Sequence, residues 1–261
     1  MDLNSTVGPK MSQFRPVVYG EVLFDRFPDR DVLGCAPFNV SWHLHGFERY
    51  PLFISRIGND DPGRQILKDM QKWGLDTTGL QTDSRFPTGG VVIKMSGTKH
   101  SFNILPDQAY DDIDLEQSRN VLHKVAPSIF YHGSLIIRTK EGRRALDDLL
   151  TSLSCPIFVD INLREPWWRA EDLTPILHRA GWVKVNDEEL EIIGGHYNLN
   201  APSLERLARN FQQKYSIEIL IVTRGGEGAF AIDSEGDIFH VQPQEDIEIV
   251  EIGRASCRER V

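Results

Sequence analysis

Pro156-Ile157-Phe158-Val159-Asp160-Ile161-Asn162-Leu163-Arg164 is the stretch on which the fold turns. It opens as an apolar run of strand length, then gives way to a short polar exit. A helical pattern runs before it from Lys140 to Leu153 and another after it from Leu173 to Ala180, each with Leu and Ile three and four residues apart. Further strand signals rich in Val, Ile and Phe lie at Pro16 to Leu23, Leu52 to Ile57, Val91 to Met95, Ser128 to Tyr131, Trp182 to Val185 and Ile217 to Val222. Gly63 to Trp73 and Ser203 to Tyr215 add two more helical patterns. Alternation of this kind predicts an α/β fold: a doubly wound, mainly parallel sheet with helices on both faces, at least from residue 125 onward. Ligands of such sheets sit beyond the carboxyl ends of the strands.

Thr88 to Ile104 departs from that rhythm. Two β-rich runs, Gly90 to Met95 and His100 to Ile104, flank the turn Ser96-Gly97-Thr98-Lys99 and predict a hairpin. A hairpin inserted between crossover units projects from the main sheet, and over a ligand it acts as a lid. A second turn, Asp233 to Asp237, joins Gly228–Ile232 to Ile238–Val241.

The 261 residues carry 29 Lys and Arg against 38 Asp and Glu, a formal net charge of -9. That balance argues against a nucleic-acid partner, which calls for clustered cations. Three cysteines, Cys35, Cys155 and Cys257, are too few and too scattered for a disulfide framework or a paired-ligand zinc site. No stretch has the length and apolarity of a membrane span, and residues 1 to 15 lack the apolar core of a signal peptide. The expectation is a soluble cytoplasmic protein with small-molecule partners and a disordered N-terminal extension up to about residue 15.

Polar groups follow strand after strand. Gly20-Glu21-Val22-Leu23-Phe24-Asp25 ends in a carboxylate able to accept hydrogen bonds from hydroxyls, and Gly34-Cys35-Ala36-Pro37-Phe38-Asn39-Val40 is a turn running into a helix. Arg56 to Gly63, Asp160 to Arg164, Lys184 to Glu189 and Val222 to Gly228 are polar exits of the same kind. Each alone reads equally well as a cap or turn. Converging on one edge of a parallel sheet, an Arg, an Asn and Glu pair and a glycine turn suit a phosphate and Mg²⁺ site.

In this order the segments resemble the ribokinase-like carbohydrate kinases, the pfkB family, over about residues 16 to 251. The glycine-pair motif followed by Asn falls on Gly34 to Val40, the Gly and Asp turn on Gly58 to Gly63, and Asp-x-Asn-x-Arg on Asp160 to Arg164. Asn-x-x-Glu falls on Asn186 and Glu189, and Thr-x-Gly-x-x-Gly on Thr223, Gly225 and Gly228. The wording is similar to the fructokinase-like branch. The resemblance implies ATP and Mg²⁺ as cofactors, leaves a monovalent cation and a homodimer open, and implies lid strands near residues 30–40 and 88–105. By the same resemblance Asp25 and Asn39 bind sugar hydroxyls, Gly34 and Cys35 form the hinge of the lid, and Phe102 and Ile104 cover the sugar. Arg164 stabilises the transferring phosphate, Asn186 and Glu189 order Mg²⁺ through water, and Thr223, Gly225 and Gly228 hold the nucleotide. A nucleoside kinase of the same family and a non-catalytic sugar-binding protein are the alternatives.

Two departures from the family pattern stand out. Cys35 takes the place of the second hinge glycine, where a side chain restricts the backbone. After a strand expected at Ile247 to Val250, the glycine-rich anion hole and catalytic Asp of the family have no counterpart in Glu251 to Val261. Residues from about 252 resemble a translated sequencing adapter, so the expectation is a C-terminally truncated, inactive kinase domain with a non-native tail.

Overall fold

The computed structural model describes residues 14–96 and 99–243. Residues 1–13 of the expected N-terminal extension, the centre of the Ser96–Lys99 turn, the strand expected at Ile247 to Val250 and the tail lie outside them, whereas Phe14 and Arg15, expected in that disordered extension, begin the first strand, with Arg15 buried and paired to Asp76 at 2.8 Å. Among the described residues, nine strands form one sheet in the order β13-β12-β11-β10-β9-β8-β1-β4-β5. They are β1 (Phe14–Tyr19), β4 (Leu52–Gly58), β5 (Leu80–Asp83), β8 (Ala126–Gly133), β9 (Ile157–Asp160), β10 (Trp182–Asn186), β11 (Ile219–Thr223), β12 (Ala229–Ile232) and β13 (Ile238–Val241). All neighbours from β5 across to β11 pair in parallel, and the β12–β13 hairpin closes that edge antiparallel. The parallel region therefore reaches back well before residue 125.

Both faces of this sheet are covered, which is why its strands read as continuous apolar runs. Val17, Tyr19, Ile54 and Phe130 pack into one core layer while Val18, Phe53 and Tyr131 pack into the other. The covering helices are α1 (Ala36–Gly46), α2 (Asp61–Trp73), α3 (Leu115–Leu122), α4 (Lys140–Thr151), α5 (Ala170–Arg179), α6 (Asp187–His196) and α7 (Leu204–Tyr215). Helix α2 shows how local chemistry sets the bounds. Asp60 accepts the Gly63 N–H at 2.8 Å to start it, Ile66 and Met70 bury its apolar stripe, and Gly74 at φ 83 ends it in the left-handed conformation.

A second sheet of four strands, in the order β3-β2-β6-β7, stands beside the first. It comprises β2 (Leu23–Arg26), β3 (Asp31–Gly34), β6 (Gly89–Ser96) and β7 (Lys99–Ile104). The β6–β7 hairpin is the one read from the sequence. Two expectations need correction. Pro16 to Leu23 is not a single strand, because the chain leaves the large sheet after Tyr19 and enters the small one at Leu23. The lid strand near residues 30–40 stops at Gly34, since Pro37 lies in the first turn of α1, where its fixed φ and missing N–H suit a helix start. Among the described residues no helix is long and apolar enough to cross a membrane.

Candidate functional site

The small sheet turns one face to the large one. In-register pairing puts Asp25 of β2 beside Val32 of β3 and Val91 of β6, and Val91 beside Ile104 of β7, so these residues share a row and a face. Ile93 and Phe102 form the next row. Val91, Ile93 and Ile104 are buried in the main core, and Phe102 is 50% exposed. Asp25 is thus a half-buried carboxylate on an otherwise apolar face. Burial pushes its carboxyl up to about 6, against the pull of the Arg164 charge.

Arg164 follows β9 after Asn162, which takes φ 46, a left-handed conformation that Asn tolerates. Among the described residues its guanidinium forms no ion pair and donates to the Leu163 carbonyl at 2.9 Å. Its charge acts on Asp25, Glu21 and Cys35 together, which places these four groups around the junction of the two sheets. Gly34 is the buried end of β3, paired with Leu23, and Asn39 stands in the first turn of α1 with its N–H donating to the Cys35 carbonyl at 2.9 Å.

The next strands carry a second group. Asn186 ends β10 and is the register partner of Thr223 at the end of β11. Asn186 and Glu189 cap α6 reciprocally: the Asn186 Oδ1 accepts the Glu189 N–H at 2.7 Å and the Glu189 Oε2 accepts the Asn186 N–H at 3.1 Å. Glu189 Oε1 also accepts the Leu163 N–H at 2.9 Å, tying the strand exit that bears Arg164 to the start of α6. Burial raises the Glu189 carboxyl, with Asn186, Leu163 and Lys184 opposing. Beyond Thr223, Gly225 at φ 51 and Gly226 have nothing within 4 Å of where a Cβ would stand among the described residues, so within these residues the turn offers open backbone. Gly228 differs, because a Cβ there would meet the Val241 carbonyl oxygen at 2.1 Å.

Asp160, first residue of the motif that contains Arg164, serves the fold. The Lys184 ammonium donates to its Oδ1 at 2.8 Å and the Tyr131 hydroxyl to its Oδ2 at 2.9 Å. Asp60 is likewise occupied, accepting the Gly63 N–H at 2.8 Å and the Thr88 N–H at 2.9 Å. Two groups escaped the sequence reading. Glu21, 1% exposed, accepts the Cys35 thiol at 3.1 Å on Oε1. Arg138 donates twice to Asp111 at 2.6 Å and once to the Leu105 carbonyl at 2.8 Å, and lies over the rings of Tyr110 and Trp167. Only the neighbouring Gly20 hinted at Glu21, and nothing in the local sequence marks Arg138.

A parallel sheet with an arginine, an Asn–Glu pair and an open glycine turn along one edge, and a small β cover that bears a carboxylate, defines a sugar-kinase-like architecture. The chain belongs to the pfkB family of carbohydrate kinases, whose profile it matches over residues 1–250. It is similar to fructokinase-1 of Zea mays, with 26% identity over 92% of this chain and 77% of that protein. An uncharacterised sugar kinase of Pyrococcus horikoshii is 28% identical, with 64% of this chain matching 55% of that protein's length. Among solved structures, a fructokinase of Xylella fastidiosa with bound ATP superposes with a TM-score of 0.77 at 18% identity, covering 88% of this chain and 74% of that one. A fructokinase of Vibrio cholerae O395 in a form holding fructose, ADP and calcium ion gives 0.75 at 22% identity, over 92% and 79% of the two chains.

Proposed function

We propose that the site is that of an ATP-dependent sugar kinase with fructose as the acceptor. One observation carries the reading: Arg164, the Asn186–Glu189 pair and Thr223 follow one another along one edge of the large sheet, linked by the Leu163 to Glu189 hydrogen bond and the Asn186–Thr223 register, and the Arg164 charge reaches Asp25 on the small sheet. Asp25 accepts hydrogen bonds from sugar hydroxyls, Asn39 adds a polar group from α1, and Phe102 covers the ring with Ile104 packed behind it. Arg164, free of an ion pair among the described residues, faces the phosphate in transfer. Thr223 and the open backbone at Gly225 receive the nucleotide, and Gly228 shapes the turn. ATP and ADP in the related fructokinase structures support the nucleotide.

No three His, Cys, Asp or Glu side chains gather into a metal cage among the described residues. A Mg²⁺ ion here fits only as an ion ligated mainly by phosphate oxygens and water, with Asn186 and Glu189 ordering that water. It would supply charge neutralisation for phosphoryl transfer, which needs positioning more than covalent chemistry. The test is calorimetric titration with fructose, ribose and adenosine, each with and without the non-hydrolysable nucleotide AMP-PNP. Fructose binding strengthened by the nucleotide supports the reading; adenosine binding instead assigns a nucleoside kinase.

A further inference from the structure

Four segments carry the chain between the two sheets: residues 20–22, residue 35, residues 84–88 and residues 105–108. Three of them are held to the body of the protein by visible bonds. Gly20 donates its N–H to the Ile54 carbonyl at 3.1 Å, Asp60 accepts from Thr88 at 2.9 Å, and Arg138 donates to the Leu105 carbonyl at 2.8 Å. Pro87 in the third also accepts at its carbonyl the N–H of Ala109, the residue that follows the fourth, at 2.9 Å.

The second crossing, Cys35, is half-buried against the main core, and its carbonyl accepts the Asn39 N–H of α1 at 2.9 Å. Cys35 has φ 94 and ψ 155, a conformation open to glycine and costly for other residues, on the order of 1–3 kcal/mol. Such a conformation persists only where the surroundings hold it. Its Sγ donates to Glu21 Oε1 at 3.1 Å, a side-chain bond between the first and second crossings. Leu23 pairs with Gly34, so Glu21 and Cys35 flank the open end of the β2–β3 hairpin that bears Asp25.

We propose that Glu21 is a positioning residue: its carboxyl clasps the Cys35 thiol, holds the second crossing in its positive-φ conformation, and thereby sets how β2 presents Asp25 to Arg164. Burial raises both partners above their ordinary values, and the thiol donates to the carboxyl at 3.1 Å. The charges of Arg138, Arg164 and Asp25 surround it, and the Tyr110 and Tyr131 hydroxyls lie within its electrostatic reach. The clasp itself follows from the geometry of the hinge, and only its effect on sugar rests on the kinase reading.

Amide hydrogen exchange in residues 23–34 tests it. Cys35→Ala removes the donor and keeps the Cβ, and Glu21→Met removes the acceptor while filling its volume; Cys35→Ser and Glu21→Gln preserve donor and acceptor. The two disruptive variants exchange roughly 3- to 10-fold faster, the span of one ordinary hydrogen bond. The double variant exchanges no faster than the faster single, and the two conservative variants stay near the parent. Parent-like exchange in Cys35→Ala overturns the proposal, as does a double variant whose acceleration is the product of the singles. If Glu21→Met does not fold, the Cys35→Ala and Cys35→Ser pair decides alone. Fructose titration of the same variants is read separately. No fructose binding by any of them, parent included, counts against the kinase reading, while the exchange result still decides the clasp.

Discussion

At Asp25 the sign of the pH dependence follows from where the carboxyl sits. Its apolar surroundings raise it to about 6, so the folded protein binds that proton more tightly than the unfolded chain does. The stability this lends is fully present below the ordinary carboxylate range and is lost as pH rises through about 6. Sugar binding runs the other way, because only the ionised carboxylate accepts charge-assisted hydrogen bonds, each about 1.5–3 kcal/mol. Fructose affinity measured by calorimetry should therefore climb from pH 5 to 7 and level off. Asp25→Asn should lower affinity at pH 7, abolish the climb and flatten the fall in Tm over the same window. Cys35→Gly is a second single-residue test. It relieves about 1–3 kcal/mol of backbone strain, but loses a hydrogen bond of about 0.5–1.5 kcal/mol and adds unfolded-state freedom of about 0.5–1 kcal/mol. These nearly cancel, so scanning calorimetry should show Tm within a few degrees of the parent while the hinge gains freedom and sugar association quickens.

Helix α6 is the element where a structural role and the proposed functional one coincide. Asn186 and Glu189 already satisfy each other's backbone, so Asn186→Ala should cost about 0.5–2 kcal/mol in stability whether or not a metal binds there. Asn186→Asp keeps a good cap and adds negative charge next to the nucleotide turn. Its Tm should match the parent while its Mg²⁺-dependent affinity for AMP-PNP changes; parallel loss of both in the Asp variant would reduce the pair to a cap. The same element shows what was legible in the sequence. Strands with both faces buried, such as β4 and β8, announce themselves as apolar runs, and α2, α4 and α7 by their stripes. Helix α6 did not, because Gly194 and Gly195 interrupt its pattern and its start was read as a polar strand exit. Strand β5, Leu80-Gln81-Thr82-Asp83, lies at the sheet edge, where Asp83 pairs with Arg56 at 2.9 Å instead of burying an apolar side chain. The strand-end residues were legible because chain order fixes which edge they reach. Glu21 and Arg138 were not, since their partners are brought to them by crossings between sheets.

Across the whole molecule the groups proposed for sugar and those proposed for nucleotide stand on different elements, so binding and turnover can be tested separately. The family resemblance places the general base in a glycine-rich segment that has no counterpart among residues 251–261. Among the described residues, three acids that could stand in for it are committed. Asp60 caps α2 and holds Thr88, Asp111 is locked to Arg138, and Asp160 is shared by Lys184 and Tyr131. Asp61 has 94% of its side chain in solvent and pairs with Arg64 on the outside of α2. General-base help is worth about 10²–10⁴ in rate, and one oxyanion-type donor about 10²–10³ more. These 261 residues by themselves should therefore bind fructose and AMP-PNP in calorimetry yet show no fructose-dependent ADP release in a coupled assay. Appending a Gly-Ala-Gly-Asp segment and its following helix, taken from a pfkB relative, should restore turnover. Fructose-dependent ADP release from the 261 residues alone would overturn this, and Asp60→Asn, Asp111→Asn and Asp160→Asn would then have to be tested one at a time, the base being the residue whose loss abolishes turnover while fructose still binds.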